Sequence, residues 1–285
     1  MKTAWVFPGQ GSQVAGMGLD LQTHPHARQR FQEAEAILGW SVVACCTPPA
    51  TQLSQTRYTQ PCLYVVESIL ADLYADGTPD YLAGHSLGEL VALYRAGVYN
   101  FATGLRLVKL RAELMDQAGG GQMVALLEPD REQLAQVLAQ TSDVVLANDN
   151  HPGQVVISGT PAGVANVLDQ VRVKRAVPLA VSGAFHSPFM AEAAAQFNAY
   201  LDTIPFADAQ IPVLSNTDPT PTTAGALLKE RLRTQMTTGV RWREIVLALA
   251  ALGVRRVVEL GPGKVLTGLV KRTVPDMELL NVATV

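Results

Sequence analysis

Two spacings of apolar residues alternate along this chain. Short apolar runs at Thr3–Phe7, Tyr81–His85, Val213–Ser215 and Arg255–Leu260 read as buried strands. Between them, apolar residues recur every three or four positions over His26–Leu38, Pro61–Tyr74, Glu89–Ala96, Phe101–Gln117, Phe189–Tyr200 and Val265–Arg272, which predicts helices with one face turned to a core. Gln60-Pro61 reads as the start of the second helix, because proline fits a first helical turn. Strands alternating with helices place the chain in the α/β class, with a mostly parallel sheet.

Gly119-Gly120-Gly121 interrupts that rhythm. After it the pattern predicts a strand at Gln122–Leu127, a helix at Asp130–Ala139, strands at Val144–Ala147 and Gln154–Ser158, a helix at Pro161–Val171 and a strand at Arg175–Val181. The order β-α-β-β-α-β is the ferredoxin-like split motif. Residues 122–182 are therefore expected to form a small domain, inserted into a larger one made of residues 1–121 and 183–285.

Composition narrows the setting. An apolar content of 48% with 16% charged residues describes a globular protein with a sizeable core. A formal net charge of -3 gives no basic field for nucleic acid or an anionic membrane. The first apolar run meets Pro8-Gly9 too early for a signal-peptide core, and no apolar stretch is long enough to span a bilayer. Three cysteines, Cys45, Cys46 and Cys62, are few and odd in number, which suits a reducing compartment. A cytoplasmic location is expected.

Chemistry concentrates first at Gly84-His85-Ser86-Leu87-Gly88. A strand runs into it and a helix leaves it, the arrangement of a nucleophile elbow, in which a serine sits on a strained turn between two glycines. The helix N-terminus offers free N–H groups and a positive dipole end to an oxyanion formed there. His186, in a loop just before a helix, has the best setting of the five histidines to act as a base. Gly9 and Gly11, either side of Gln10, either form a flexible turn after the first strand or let backbone come close to something. No cysteine, histidine or acid cluster has metal-ligand spacing, so no metal site is expected.

At 100° per residue, Arg106, Lys109, Glu113, Asp116 and Gln117 share the polar face of the Phe101–Gln117 helix. Arg111 falls on the other side, with Leu107, Val108, Leu114 and Met115. A guanidinium on an apolar stripe keeps its charge and needs an anion. A distant Asp or Glu could supply it; so could a substrate carboxylate held by two hydrogen bonds. Between Lys229 and Arg272 there are ten basic residues against Glu230, Glu244 and Glu259. They read either as solvated helix faces or as a docking surface for an acidic or phosphate-bearing partner, with Arg241, Arg243, Arg255 and Arg256 as candidate contacts.

Five motifs taken in order carry a family resemblance: Phe7-Pro8-Gly9-Gln10-Gly11-Ser12-Gln13, Gly84-His85-Ser86-Leu87-Gly88-Glu89, Arg111, Ala184-Phe185-His186-Ser187 and Gly261-Pro262-Gly263-Lys264-Val265-Leu266-Thr267-Gly268. Together they resemble the malonyl-CoA:acyl carrier protein transacylases of fatty-acid and polyketide synthesis, over nearly the whole chain. The resemblance implies a hydrolase-like α/β domain around a ferredoxin-like insert. It implies malonyl-CoA as a substrate, no resident cofactor, and an acyl carrier protein acting as a separate partner. Leu53–Pro61 is similar to the discrete, trans-acting acyltransferases of polyketide synthases, with the fatty-acid enzyme as the alternative.

By that resemblance Ser86 attacks the thioester and His186 is the general base, then the general acid. The backbone N–H groups of Gln10 and Leu87 form the oxyanion hole, Arg111 holds the malonyl carboxylate, and the carbonyl of Leu252 orients the histidine. Phe185, beside the base, is expected to set specificity by crowding an α-methyl group. Gly183 and Gly239 depart from the family pattern and bear on pocket shape. A serine thioesterase or carrier-clearing hydrolase would share Ser86 and His186 with less use for a carboxylate clamp, and a non-catalytic docking subunit would need neither.

Overall fold

The computed structural model describes residues 1–181 and 183–284. The chain enters through β1 (Lys2–Phe7), α1 (Pro25–Leu38), α2 (Val42–Cys46) and α3 (Thr56–Leu73), then reaches β2 (Tyr81–Gly84), α4 (Gly88–Arg95) and α5 (Phe101–Gln117). A second run follows: β3 (Gln122–Leu127), α6 (Arg131–Ala139), β4 (Val144–His151), β5 (Gln154–Gly159), α7 (Pro161–Gln170) and β6 (Arg175–Pro178). It returns through α8 (Ala191–Asp202), β7 (Val213–Leu214), α9 (Gly225–Thr234), α10 (Trp242–Ala251), β8 (Val254–Leu260), α11 (Val265–Thr273) and β9 (Glu278–Val282).

β1 is the middle strand of a five-stranded sheet, in the order β7-β2-β1-β8-β9, and every neighbouring pair is parallel. Successive side chains of a strand point to opposite faces. Trp5 and Phe7 accordingly join a core built from α1, α3, α4, α5 and α8, while Ala4 and Val6 join one built from α10 and α11. Both faces are covered, which is why β1 reads as a continuous apolar run rather than an alternating one. The strands point their C-terminal ends toward the elbow, at the sheet edge where such folds bind ligands.

The four-stranded sheet, in the order β4-β5-β3-β6, is antiparallel and carries α6 and α7 on one face. Its own core is Val124, Leu126, Val155 and Ile157 against Leu134, Val137, Val164 and Val167. Chain order and strand order together make it the ferredoxin-like motif expected. Ser182, where the inserted unit is expected to end, lies outside the described residues.

Several boundaries differ from the pattern. β4 runs four residues past Ala147 to His151, and its polar end is fixed by contacts with the larger unit. Val240 N–H donates to the Ala147 carbonyl at 2.7 Å, Asp149 N–H donates to the Val240 carbonyl at 2.9 Å, and Arg243 pairs with Asp149 at 2.9 Å. α3 begins at Thr56, so Pro61 is inside the helix rather than at its start. Proline there removes one N–H, which would have bonded to Arg57, and Arg57 is on the solvent side where water can replace it. β6 stops at Pro178, three residues before Val181. Helices α2, α9 and α10 and the edge strand β9 were not anticipated.

Candidate active site

β2 ends at Gly84 and α4 starts at Gly88, so Ser86 lies on the turn between them with φ +53°. The glycines are required by distance. A Cβ on Gly84 would lie 1.9 Å from the Gly88 carbonyl carbon, and one on Gly88 would lie 2.0 Å from the Phe7 carbonyl oxygen. Gly9 is pressed on in the same way, its Cβ position falling 2.4 Å from the His85 carbonyl oxygen. The 8–13 loop therefore comes close to the elbow rather than forming a free turn.

Ser86 Oγ is 2.8 Å from His186 Nε2. His186 also has positive φ, +56°, and it is buried. Non-glycine residues held there store local strain, and the two that face each other here are the serine and the histidine. The His186 Nδ1–H donates to the carbonyl of Gln235 at 3.0 Å, which leaves Nε2 as the acceptor for the serine hydroxyl. The orienting carbonyl is thus that of Gln235, not of Leu252. The Leu252 carbonyl accepts from Lys2 Nζ at 3.0 Å, at the opposite end of β1 from the elbow. Burial first, then the Arg111 cation, pushes the His186 pKa down to about 3, against the opposing pull of the Gln235 carbonyl. The imidazole is neutral at pH 7.

Arg111 is fully buried, as its helical phase requires. It donates to Gln60 Oε1 at 2.7 Å, Gln235 Oε1 at 3.0 Å and Ser86 Oγ at 3.1 Å. Among the described residues no carboxylate pairs with it, so the structural salt bridge considered above is not formed. Burial lowers its pKa to about 10, with Glu89 opposing, and it stays charged at neutral pH. Glu89 reaches it through an amide: Gln235 Nε2 donates to Glu89 Oε2 at 2.7 Å and to the Ser86 carbonyl at 3.0 Å. Burial raises the pKa of Glu89.

The backbone N–H groups of Gln10 and Leu87, two residues that line the cavity at Ser86, have no protein acceptor among the described residues. Gln10 is tethered by its side chain, whose Nε2 donates to Thr56 Oγ1 at 3.1 Å. Ser86, His186, Gln10, Leu87 and Phe185 line one cavity of about 70 Å³, closed by Met115 and by Met123, Leu179 and Val181 of the inserted unit. The space is small, and Phe185 forms part of its wall.

The chain matches the family described as the acyl transferase domain over residues 4–285. It belongs to that family. A malonyl CoA-acyl carrier protein transacylase from Synechocystis sp. is 58% identical over 284 residues, covering 99% of this acyltransferase and 97% of the relative. The crystal structure of the Synechocystis sp. malonyl-CoA:ACP transacylase superposes with a TM-score of 0.98 at 57% identity, covering 100% and 98% of the two chains. A malonyl transacylase solved in complex with a type II polyketide synthase acyl carrier protein gives a TM-score of 0.94 at 36% identity, over 100% and 97%. The resemblance read from five motifs is therefore borne out.

Sequence reasoning missed the polar groups that tie this acyltransferase's site together. Glu89 was visible as an acid in an otherwise apolar run, and Gln60 as an amide in a buried helix. Gln235 gave no signal, since it lies in a short irregular segment after α9. The basic residues fared differently from the docking expectation. Arg241 pairs with Glu244 at 2.5 Å, Arg243 with Asp149, and Arg256 with Asp76 at 2.8 Å. Of the four candidates Arg255 is exposed without an ion pair among the described residues.

Proposed function

We propose that this acyltransferase moves a malonyl group from malonyl-CoA, through an ester on Ser86, to the phosphopantetheine thiol of a separate acyl carrier protein. The observation that carries it is Arg111: a buried cation without a carboxylate partner among the described residues, 3.1 Å from the nucleophilic oxygen. A malonyl carboxylate supplies the missing anion within reach of the serine, whereas an acetyl group does not.

Ser86 Oγ attacks the thioester carbonyl as its proton passes to His186 Nε2. The carbonyl oxygen becomes an oxyanion facing the Gln10 and Leu87 N–H groups, an interaction worth a few kcal/mol in the transition state. Collapse breaks the C–S bond, and His186 returns the proton to the leaving thiolate. The carrier thiol then gives its proton to His186 and attacks the ester, and Ser86 recovers the proton as it leaves. The neutral imidazole suits both directions, and the sequence calls on no metal or organic cofactor. The small cavity and the clamp favour transfer over hydrolysis, because a seated malonyl group leaves little room for a water.

Supply to fatty-acid synthesis has more support than the trans-acting polyketide role. The Synechocystis malonyl CoA-acyl carrier protein transacylase stands at 58% identity, and relatives named for polyketide biosynthesis stand at 38–42%. A cytoplasmic location fits three buried, unpaired cysteines. Intact mass after incubation with malonyl-, methylmalonyl- and acetyl-CoA tests the reading. A malonyl adduct on Ser86 that survives in water and leaves on addition of carrier is expected; an adduct that water clears at once would instead make the protein a hydrolase.

A further inference from the structure

Ser86 N–H, next to the Leu87 N–H in the elbow, is bonded inside the protein. It donates to Asn216 Oδ1 at 2.7 Å, and Asn216 Nδ2 donates to the Gly84 carbonyl at 2.6 Å. Asn216 is fully buried, its own N–H donates to Glu89 Oε2 at 3.1 Å, and its carbonyl accepts from Arg241 N–H at 3.0 Å.

The pattern of those two side-chain bonds is informative. In a parallel ladder, a residue bonds to the carbonyl before and the N–H after its partner. Gly84 carbonyl and Ser86 N–H flank His85 in that relation. β7 pairs with β2 through Leu82 and Ala83 and then stops. Two residues past the end of β7, the Asn216 carboxamide supplies the next pairing from a side chain. We propose that Asn216 is the positioning residue of the nucleophile, its carboxamide standing in for a strand residue beside His85 and holding Ser86 in its left-handed conformation.

Two consequences follow from the geometry. The Ser86 N–H is withdrawn from the oxyanion site, leaving Gln10 and Leu87 as the donors. The elbow is also tied to the polar network, since Asn216 and Gln235 share Glu89 Oε2. An aliphatic residue supplies neither bond, and a longer amide does not fit where both bonds are short.

The inference rests on Ser86 being the nucleophile, and the experiment keeps the two apart. Asn216→Ala is compared with unaltered protein in single-turnover acylation by malonyl-CoA and in labelling by a small alkyl fluorophosphonate. The phosphonate reacts at Ser86 with loss of fluoride and has no carboxylate for Arg111. Both rate constants should fall about 10- to 100-fold, the effect of losing one or two buried hydrogen bonds to the reacting geometry, while the Kd for malonyl-CoA changes less than about twofold. Asn216→Ser, which keeps a polar group and room for a water, serves if the alanine protein does not fold, with the same split and a smaller loss. A loss confined to Kd, or unchanged labelling in a folded variant, overturns the assignment. If malonyl-CoA does not acylate unaltered protein but the phosphonate labels Ser86, the substrate reading fails and the phosphonate arm alone decides. If Ser86 takes neither reagent, the nucleophile reading fails and the assignment goes with it.

Discussion

Replacing Arg111 by alanine separates a substrate clamp from a structural cation. In the free enzyme the guanidinium donates to two amide oxygens and the serine, while its buried Nε has no partner and no carboxylate pairs with it among the described residues. Removing it costs a bound malonyl group its charged hydrogen-bond pair, about 2–5 kcal/mol. At 1.36 kcal/mol per tenfold, malonyl acylation should slow by roughly 30-fold or more. Acetyl acylation loses only the 3.1 Å contact to Ser86 Oγ, and it gains from the removal of a cation that lowers the His186 pKa. The ratio of malonyl to acetyl rates should therefore fall by at least about 30-fold. The variant also strands Gln60 Oε1 and Gln235 Oε1, at about 1–3 kcal/mol each, so folding must be checked by urea denaturation and Arg111→Gln made in parallel. The assay is single-turnover acylation with each thioester. Equal loss for both substrates would mean that Arg111 orders the site without reading the carboxylate, and the proposed substrate class would lose its physical basis.

Four further outcomes are expected. Because the His186 pKa is lowered to about 3, its neutral form persists to acid pH, and kcat/KM for acylation should show no limb near pH 6.5; a limb there would refute a buried neutral base. The same shift makes unfolded His186 bind more protons between about pH 3 and pH 6.5, so the stability contributed by this group falls as pH drops through that window, by about 2 kcal/mol at pH 5 relative to pH 7.5. Buried Glu67 and Glu89, with raised pKa values, contribute in the opposite direction. The change in unfolding free energy between the two pH values, from urea denaturation, should differ by about that amount between unaltered protein and His186→Gln, and an equal change in both would refute the shift. Phe185→Ala should relax discrimination against methylmalonyl-CoA, which an α-methyl clash sets at about 10–200-fold, and an unchanged rate ratio would show that Phe185 is only wall. Gly88→Ala should destabilise by about 3 kcal/mol in urea denaturation, since its Cβ position falls 2.0 Å from the Phe7 carbonyl oxygen; a stability within 1 kcal/mol of unaltered protein would show that the elbow can shift.

Local pattern was enough for much of this molecule. The apolar runs at β1, β2 and β8 and the phase of Arg111 on α5 depend on neighbours along the chain, and those periodicities survive folding. The glycines around Ser86 were legible for a related reason: a nucleophile on a strand-to-helix turn crowds its own flanking backbone. Leu252, Gln235 and Asn216 were decided elsewhere. A carbonyl or carboxamide carries no signal until the fold brings it near a partner, and Gln235 and Asn216 meet Ser86 from 149 and 130 residues away. The basic residues show the converse. Counted along the chain they look like a field for an acidic partner, but Asp149, Asp76 and Glu244 neutralise Arg243, Arg256 and Arg241, and two of those three acids come from distant elements. Sequence set which elements form and which side chains carry chemistry, because both depend on short-range periodicity and residue type. The tertiary structure alone chose the hydrogen-bond partners, because a buried polar group must be satisfied by whatever packing places beside it.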